Sequence, residues 1–480
     1  MTARVRSTSR TAPGGGVRNF SPRLAAALLG GKTAAVASRL LGRGGGTSLP
    51  GMVARRIHTG VLAEIVGRRG LPVVAITGSN GKTTIARLTA ALIRGEGLSV
   101  AQNSAGSNLI QGVTSLAIIS ADLRGRIPET VFVAEVDEGA LPLVAPEIQP
   151  RVLLVADLFR DQLDRFGEIY AVADAIASVA EALPPDSTLV VNADDPMLAG
   201  MAATREGPVL TFGLAVDRSL DAITSAADTI RCPRCRSDLS YARVYLGHLG
   251  DYACPRCGFS RPPLDVAVTA LEVQGLDATR ATIQTPAGEV VLTVPQAGVH
   301  VAYNAAAALA VTAALGLETP HALESLAGVA PAFGRLEQIP AGVHTIVLAF
   351  AKNPTSFNTT LRTLRQAGEP RHLLIAASNT LVDGEDFGWL WDVDFEGAAV
   401  ALERVTVSGL RADELATRLK YAGVPEARMS IEIERARALD VALADTPPEA
   451  PLVVLAGYTP TIELREAMRR RGWVGRYWRQ

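Results

Sequence analysis

The residues best suited to chemistry lie in one short run, Thr77-Gly-Ser-Asn-Gly-Lys-Thr-Thr84. An apolar segment, Val73 to Ile76, reads as a buried parallel strand leading into it, and Ile85 to Ile93 carries apolar residues at helical spacing beyond it. Strand, glycine loop and helix in that order gather backbone N–H groups and the positive end of a helix at one point, which suits a phosphate. Gly78, Ser79, Asn80, Gly81, Lys82, Thr83 and Thr84 are therefore the candidate nucleotide contacts. Lys82 would reach the outer phosphates and the Thr83 hydroxyl would sit on Mg²⁺. Only Ser79 and Asn80 stand between Gly78 and Gly81, a shorter spacing than the general phosphate loop has. A glycine turn without a ligand is the competing reading. The coincidence of strand, Gly-Lys-Thr and helix argues against it.

A second strand-like run, Thr130 to Val136, ends in Glu135-Val-Asp-Glu138. Open α/β sheets bind ligands at the carboxyl ends of strands, and a hard cation takes carboxylate oxygens, so Glu135 is a candidate Mg²⁺ ligand. A solvated acidic loop is the alternative. All four cysteines fall in Cys232-Pro-Arg-Cys235 and Cys254-Pro-Arg-Cys257, two C-x₂-C pairs with the spacing of a zinc ribbon. Four thiolates would close a tetrahedral shell, so a structural site is expected. Spacing alone also allows iron–sulfur ligation or disulfides. If all four hold metal, the chain has no cysteine nucleophile and cannot by itself be a cysteine-dependent glutaminase.

These groups need a framework. At 480 residues, 48% hydrophobic and 20% charged, the chain has the size and composition of two or three globular domains. A formal net charge of −1 gives no bulk electrostatic case for nucleic-acid binding. No apolar run of transmembrane length interrupts it, so a cytoplasmic protein is expected. Its only lysines are Lys32, Lys82, Lys352 and Lys420, which makes a lysine in the phosphate loop informative.

Residues 1–20, rich in Ser, Thr, Arg and Gly, are expected to be disordered. A helical segment follows over 21–57, with a helix from Ser21 to Leu41, a loop from Gly42 to Gly51 and a second helix over Val53 to Val66. The glycine loop reads either as a linker or as a close approach to a ligand. The apolar Leu24 to Leu41 stretch is expected to pack in a core. Contact with a membrane surface is the alternative. Strands alternating with helices through Leu98 to Ala101, Arg151 to Ala156 and Thr188 to Val191 argue a parallel, doubly wound sheet over 58–332. The ribbon (about 229–262) is inserted into it. A smaller α/β domain is expected over 333–480. It includes an acidic loop, Asn379 to Glu396, that holds Trp389 and Trp391 among four aspartates.

Taken together, the motifs resemble those of the Mur ligase superfamily, ATP-dependent enzymes that join a carboxylate to an amine. Thr77 to Thr83 resembles that family's short phosphate loop, Glu135 its magnesium glutamate, Asn192-Ala-Asp-Asp-Pro196 a signature after a strand, Val299 to Asn304 its histidine–asparagine segment, and Gly334-Arg335 its hinge motif. The resemblance implies that Asn304 and Arg335 contact the nucleotide. It also implies a Mur-ligase-like central domain with a Rossmann-like C-terminal one. There are departures. No lysine lies between Lys82 and Lys352 to become a carbamylated metal ligand, the family's Asp-His pair reads Asp161-Gln162, and the C-terminal loop that usually begins with aspartate reads Ala349-Phe-Ala-Lys352-Asn-Pro354.

With the ribbon and the Asp157 to Gly167 segment, these features resemble the MurT-like branch. That likeness implies a heterodimer with a GatD-like class I glutamine amidotransferase. The complex would use ATP, Mg²⁺ and structural Zn²⁺ to amidate the α-carboxyl of D-glutamate in lipid II. An aspartate of the acidic loop, Asp392 or Asp386, would complete the partner's Cys-His pair. A loop that only packs on its own domain is the bland alternative. Two other functions compete: a stand-alone folylpolyglutamate-type ligase, and a nucleotide switch or nucleic-acid module built on loop and ribbon.

Overall fold

The computed structural model of the chain describes residues 21–40, 48–67, 70–103, 107–160, 169–222, 230–318, 323, 326, 329, 334, 336–368, 371–380, 383–384 and 386–475. The core begins with six mutually parallel strands: β1 (Val73–Thr77), β2 (Val100–Gln102), β3 (Val131–Glu135), β4 (Val152–Val155), β5 (Thr188–Asn192) and β6 (Val209–Leu214). A separate antiparallel hairpin, β7 (Ser240–Leu246) and β8 (Leu249–Ala253), lies between β6 and β9 (Val266–Gln274) in the chain. Beyond it, β9 pairs with β6 in parallel and continues antiparallel into β10 (Ala278–Thr285) and β11 (Gly288–Val294). The nine-stranded order is β11-β10-β9-β6-β5-β4-β1-β3-β2.

β1 shows why this sheet is doubly wound. All five of its residues are buried, and alternate side chains enter different cores. Val74 and Ile76 join Ile85, Leu88 and Leu92 of the helix Lys82–Gly95 and the alanine-rich helix Val299–Ala314. Val73 and Ala75 join Val113 and Ala117 of the helix Ile110–Ser120, with Leu24, Ala27 and Leu28 of the helix Pro22–Leu40. A strand buried on both faces has no solvated side to alternate toward, hence its uninterrupted apolar run. β1 sits between β3 and β4, so the connections diverge there and open a crevice at the carboxyl ends of these strands.

The second sheet has the order β12-β13-β17-β14-β15-β16, from β12 (Glu337–Ala341), β13 (His344–Phe350), β14 (His372–Ala376), β15 (Arg404–Ser408), β16 (Met429–Ile431) and β17 (Pro451–Ala456). All neighbours are parallel except β12 with β13. It too has an apolar core on each face.

The N-terminal helices differ from the expected pattern. In place of one helix over Val53 to Val66 there are two, Leu49–Ile57 and Val61–Val66, separated at His58-Thr-Gly60, where His58 Nε2 lies 2.8 Å from Glu64 Oε2. The first begins at Leu49, so Pro50 and Gly51 are helical rather than loop. Proline is tolerated in a first turn because its missing N–H would have no partner there. The rest of the expected glycine loop, Gly42 to Thr47, and residues 1–20 lie outside the described residues. Among those described, no helix is long and apolar enough to cross a membrane.

Candidate active site

The phosphate loop turns on Gly81, whose φ of +78° starts the helix Lys82–Gly95. A Cβ there would run into Asn304 Oδ1, so only glycine lets Asn304 lie against the loop. The neighbouring strand end clamps the loop from the other side. Ser79 N–H donates to the Asp157 carbonyl at 3.0 Å, Asn80 N–H to Asp157 Oδ1 at 2.7 Å, and Ser79 Oγ to the Phe159 carbonyl at 2.9 Å.

Two carboxylates from the end of β3 face the start of that helix. Thr83 Oγ1 donates to Glu135 Oε2 at 2.9 Å, and Asn103 fixes Glu135 through both its backbone N–H and its carbonyl. Lys82 Nζ lies 2.8 Å from Glu138 Oε2, with side chains only 8% and 5% exposed, and donates also to the Gly78 carbonyl. Burial opposes the charge on Glu138. Lys82 beside it, with Lys352, nonetheless holds its carboxyl below the usual range. Burial and the Glu138 charge push Asp137 up.

Lys352 belongs to the second α/β unit, which also touches the loop directly. Asn353 Nδ2 donates to Asn80 Oδ1 at 3.4 Å. Between the two sheets lies a mostly apolar cavity, bordered by Asn80, Gly81, Asn304, Phe350, Thr355 and Thr359 among others.

The segment Asn192-Ala-Asp-Asp-Pro196 is a buried hub. Asp194 accepts from Arg261 Nη1 (2.9 Å), Tyr303 OH (2.7 Å) and Leu214 N–H (2.8 Å). Asp195 caps the helix Pro196–Ala202 through Met197 N–H and also accepts from Leu158 N–H. Arg261, just past the second cysteine pair, thus ties the ribbon to the large sheet. The four cysteine Sγ atoms lie within 4.8 Å of one another, with Cys232–Cys257 at 3.5 Å and Cys235–Cys254 at 3.4 Å. Four thiols converging on one point suit a tetrahedral soft-metal shell such as zinc's.

The loop aspartates differ in use. Asp383 accepts from Thr459 N–H and Thr380 Oγ1, Asp386 from Gly388 N–H at 2.8 Å, and Asp394 from Gly397 N–H at 3.2 Å. Asp392 points instead at Arg160 of the large-sheet unit, Oδ2 to Nη1 3.2 Å, with its side chain 31% exposed. Gly78, Ser79, Asn80, Gly81, Lys82, Thr83, Thr84, Glu135 and Asn304 converge on one place, while the four cysteines gather separately. Arg335, Asp161 and Gln162 lie outside the described residues. Asn353, Glu138 and the Asp157 carboxylate were not singled out by sequence reasoning. Glu138 had a signal in the acidic run after the strand, and Asn353 lies in the family loop Ala349 to Pro354, but its contact with Asn80 had no signal, because it crosses between units.

Asp157 makes a testable pH prediction. Desolvation raises its pKa from 3.8 to about 7, although the Asn80 N–H and the Lys82 charge pull the other way. An acid whose folded pKa is raised keeps its proton in the folded state after the unfolded chain has lost it. Stability therefore falls as pH rises from about 4 to about 7. Asp157→Asn keeps the oxygen that Asn80 uses. In the nucleotide-free chain this variant should match the wild type in melting temperature near pH 4 and exceed it by a few degrees at pH 8. A difference independent of pH would refute the assignment.

Comparison with known proteins agrees with this layout. The family model for the Mur ligase middle domain matches residues 76–232, and that for the MurT ligase C-terminal domain matches residues 350–461. The lipid II isoglutaminyl synthase (glutamine-hydrolyzing) subunit MurT of Streptococcus pneumoniae is 28% identical over 92% of this chain and 96% of its own length. The same subunit of Staphylococcus aureus is 29% identical over 84% and 88%. In fold, a pseudomurein peptide ligase type C from Methanothermus fervidus superposes with a TM-score of 0.65 at 21% identity, covering 85% of this chain and 80% of that one. The chain belongs to the Mur ligase superfamily of ATP-dependent ligases, in its MurT-like branch.

Proposed function

We propose that this chain is the synthetase subunit of a glutamine-dependent complex that amidates the α-carboxyl of D-glutamate in lipid II, giving D-isoglutamine. The observation that carries the reading is the cysteine cluster. The near-full-length relatives are named glutamine-hydrolyzing, yet all four cysteines here converge within 4.8 Å. None is left over as a glutaminase nucleophile. The nitrogen must then come from a second chain, a GatD-like class I glutamine amidotransferase.

A carboxylate resists attack, so it is activated first. Its oxygen attacks the γ-phosphorus of ATP, the bond from that phosphorus to the bridging oxygen breaks, and ADP leaves with the electron pair. Lys82 and Arg335 offset charge on the phosphoryl oxygens, and the loop N–H groups hold the phosphates in line. Thr83 and Glu135 are the residues that would hold Mg²⁺, which when bound neutralises phosphate charge. Ammonia then attacks the acyl phosphate carbon, phosphate departs, and the surplus proton goes to solvent. Glu138, paired with Lys82 at 2.8 Å, holds that side chain in place in a site sheltered from water.

The acidic loop fits a partner contact. Trp391 and Tyr421 pack together, ring centroids 5.8 Å apart, while remaining 53% and 74% exposed. Exposed paired aromatics are common anchors of protein interfaces. Asp392 lies next to them.

The full chain alone, and the chain mixed with a GatD-like subunit, should be given ATP, Mg²⁺, glutamine and lipid II. Glutamine-driven amidation is expected only in the mixture, with ammonium replacing glutamine for the lone chain. Amino-acid ligation by the lone chain would instead show a folylpolyglutamate-type ligase.

A further inference from the structure

The ribbon reaches further than a structural insert needs to. Its hairpin β7–β8 turns at Gly247-His248, and the residues flanking that turn, Leu246 and Leu249, border the cavity above the phosphate loop together with Phe159, Phe212 and Tyr303. We propose that the hairpin tip is part of the nucleotide site. Leu246 and Leu249 form the wall against which the purine base packs, and the four-cysteine knot holds that wall in place. The proposal rests on the ATP reading above.

The phosphate end of the ligand is set by Gly81 and Lys82, so the base must lie in the cavity that opens from them. That cavity offers a flat apolar ring what it needs, aliphatic and aromatic walls, while the Asn304 amide presents a donor and an acceptor to a base edge. The wall is anchored on every side. His248, fully buried, has its ring 4.6 Å from that of Phe159 and its Nε2 3.5 Å from Asp195 Oδ2. Gly247, at φ +60°, stands where a Cβ would meet the Phe159 ring at 3.0 Å, and its N–H donates to Asp221 Oδ2 at 2.8 Å. Gly250 N–H donates to the Asp194 carbonyl at 3.0 Å, Tyr241 OH to the His248 carbonyl at 2.9 Å, and Tyr252 OH to the Ala193 carbonyl at 3.0 Å.

The same strand links wall to knot. β8 begins at Leu249 and ends at Ala253, immediately before Cys254. An extended strand of that length spans roughly 17 Å. At the cysteine end, Tyr252 packs on Phe259 in a small core that includes Cys232 and Cys254. Four thiolates pinned to one metal would fix the far end of this strut, and loss of the metal would free it. Phe159 joins the two systems, since its carbonyl accepts from Ser79 of the phosphate loop while its ring packs on His248.

The test separates base from phosphate. Binding of ADP and of inorganic tripolyphosphate to the full chain is measured by calorimetry in Mg²⁺ buffer. Hydrogen exchange of residues 246–250 is followed with each ligand. ADP, and not tripolyphosphate, should slow exchange in the hairpin tip of the wild type. Leu249→Ala should weaken ADP by about tenfold while leaving tripolyphosphate unchanged. Protein stripped of zinc and returned to Mg²⁺ should show the same selective loss. Tight ADP binding with no change in hairpin exchange overturns the proposal while sparing the ATP reading. A wild type that binds neither ligand overturns both. ADP affinity that survives zinc removal overturns the strut.

Discussion

Replacing Lys82 by methionine should lower ammonia-driven amide formation by at least about a hundredfold, the scale of losing one electrostatic stabiliser of a transferring group. The single variant should also unfold more easily. Lys82 and Glu138 are 2.8 Å apart and almost fully buried. Removing one partner leaves an uncompensated charge, at a cost of about 3–5 kcal/mol. The double variant Lys82→Met with Glu138→Gln removes both charges and should recover most of the melting temperature without recovering the rate. Melting curves and ammonia-dependent turnover of the two variants separate the roles. A double variant as active as wild type would show that Lys82 serves only the fold.

How far the sequence could be read follows from the range of each interaction. The phosphate loop and its helix were legible because five consecutive buried residues, a glycine that must take φ +78° and a following apolar face are all local. The Cys pairs were legible because ligand spacing is local within each pair, and β1, β3, β4 and β5 because burial on two faces leaves an apolar run, whereas β9 to β11, which alternate buried and exposed residues, carry no such run. Thr83 and Glu135 were named separately. What joins them is the parallel pairing of β1 with β3, which places Ile76 opposite Glu135. The Asn353–Asn80 contact, the Arg160–Asp392 pair and the hairpin tip over the cavity join residues far apart in sequence through the docking of one unit on another. No periodicity encodes such docking. The break at His58 to Gly60 was missed for a smaller reason. The apolar pattern runs on through it, and only the backbone shows that the helix stops.

That long-range pairing bears on the two candidate aspartates. In the complex proposed above with a GatD-like subunit, Asp392→Asn should abolish most glutamine hydrolysis, whereas Asp386→Asn should leave it near wild type. Asp386 is occupied in capping the turn Gly388–Asp392 through Gly388 N–H, an oxygen that asparagine also supplies. Among the described residues, Asp392 is the loop aspartate that meets a cation rather than a backbone N–H, and it stands beside the exposed Trp391. A carboxylate orienting a catalytic histidine must accept from its ring N–H and stabilise the imidazolium. Asparagine does this badly, and the same change in a serine-protease triad costs about 10⁴-fold. Stability should barely move, since a partly exposed ion pair with Arg160 contributes only about 0.2–1 kcal/mol. The decisive comparison is nitrogen source. In the complex carrying Asp392→Asn, ammonium should still drive amidation at the wild-type rate while glutamine does not. Equal loss with both sources would place Asp392 in the synthetase site through Arg160, and full glutaminase activity would remove it from the partner's site altogether.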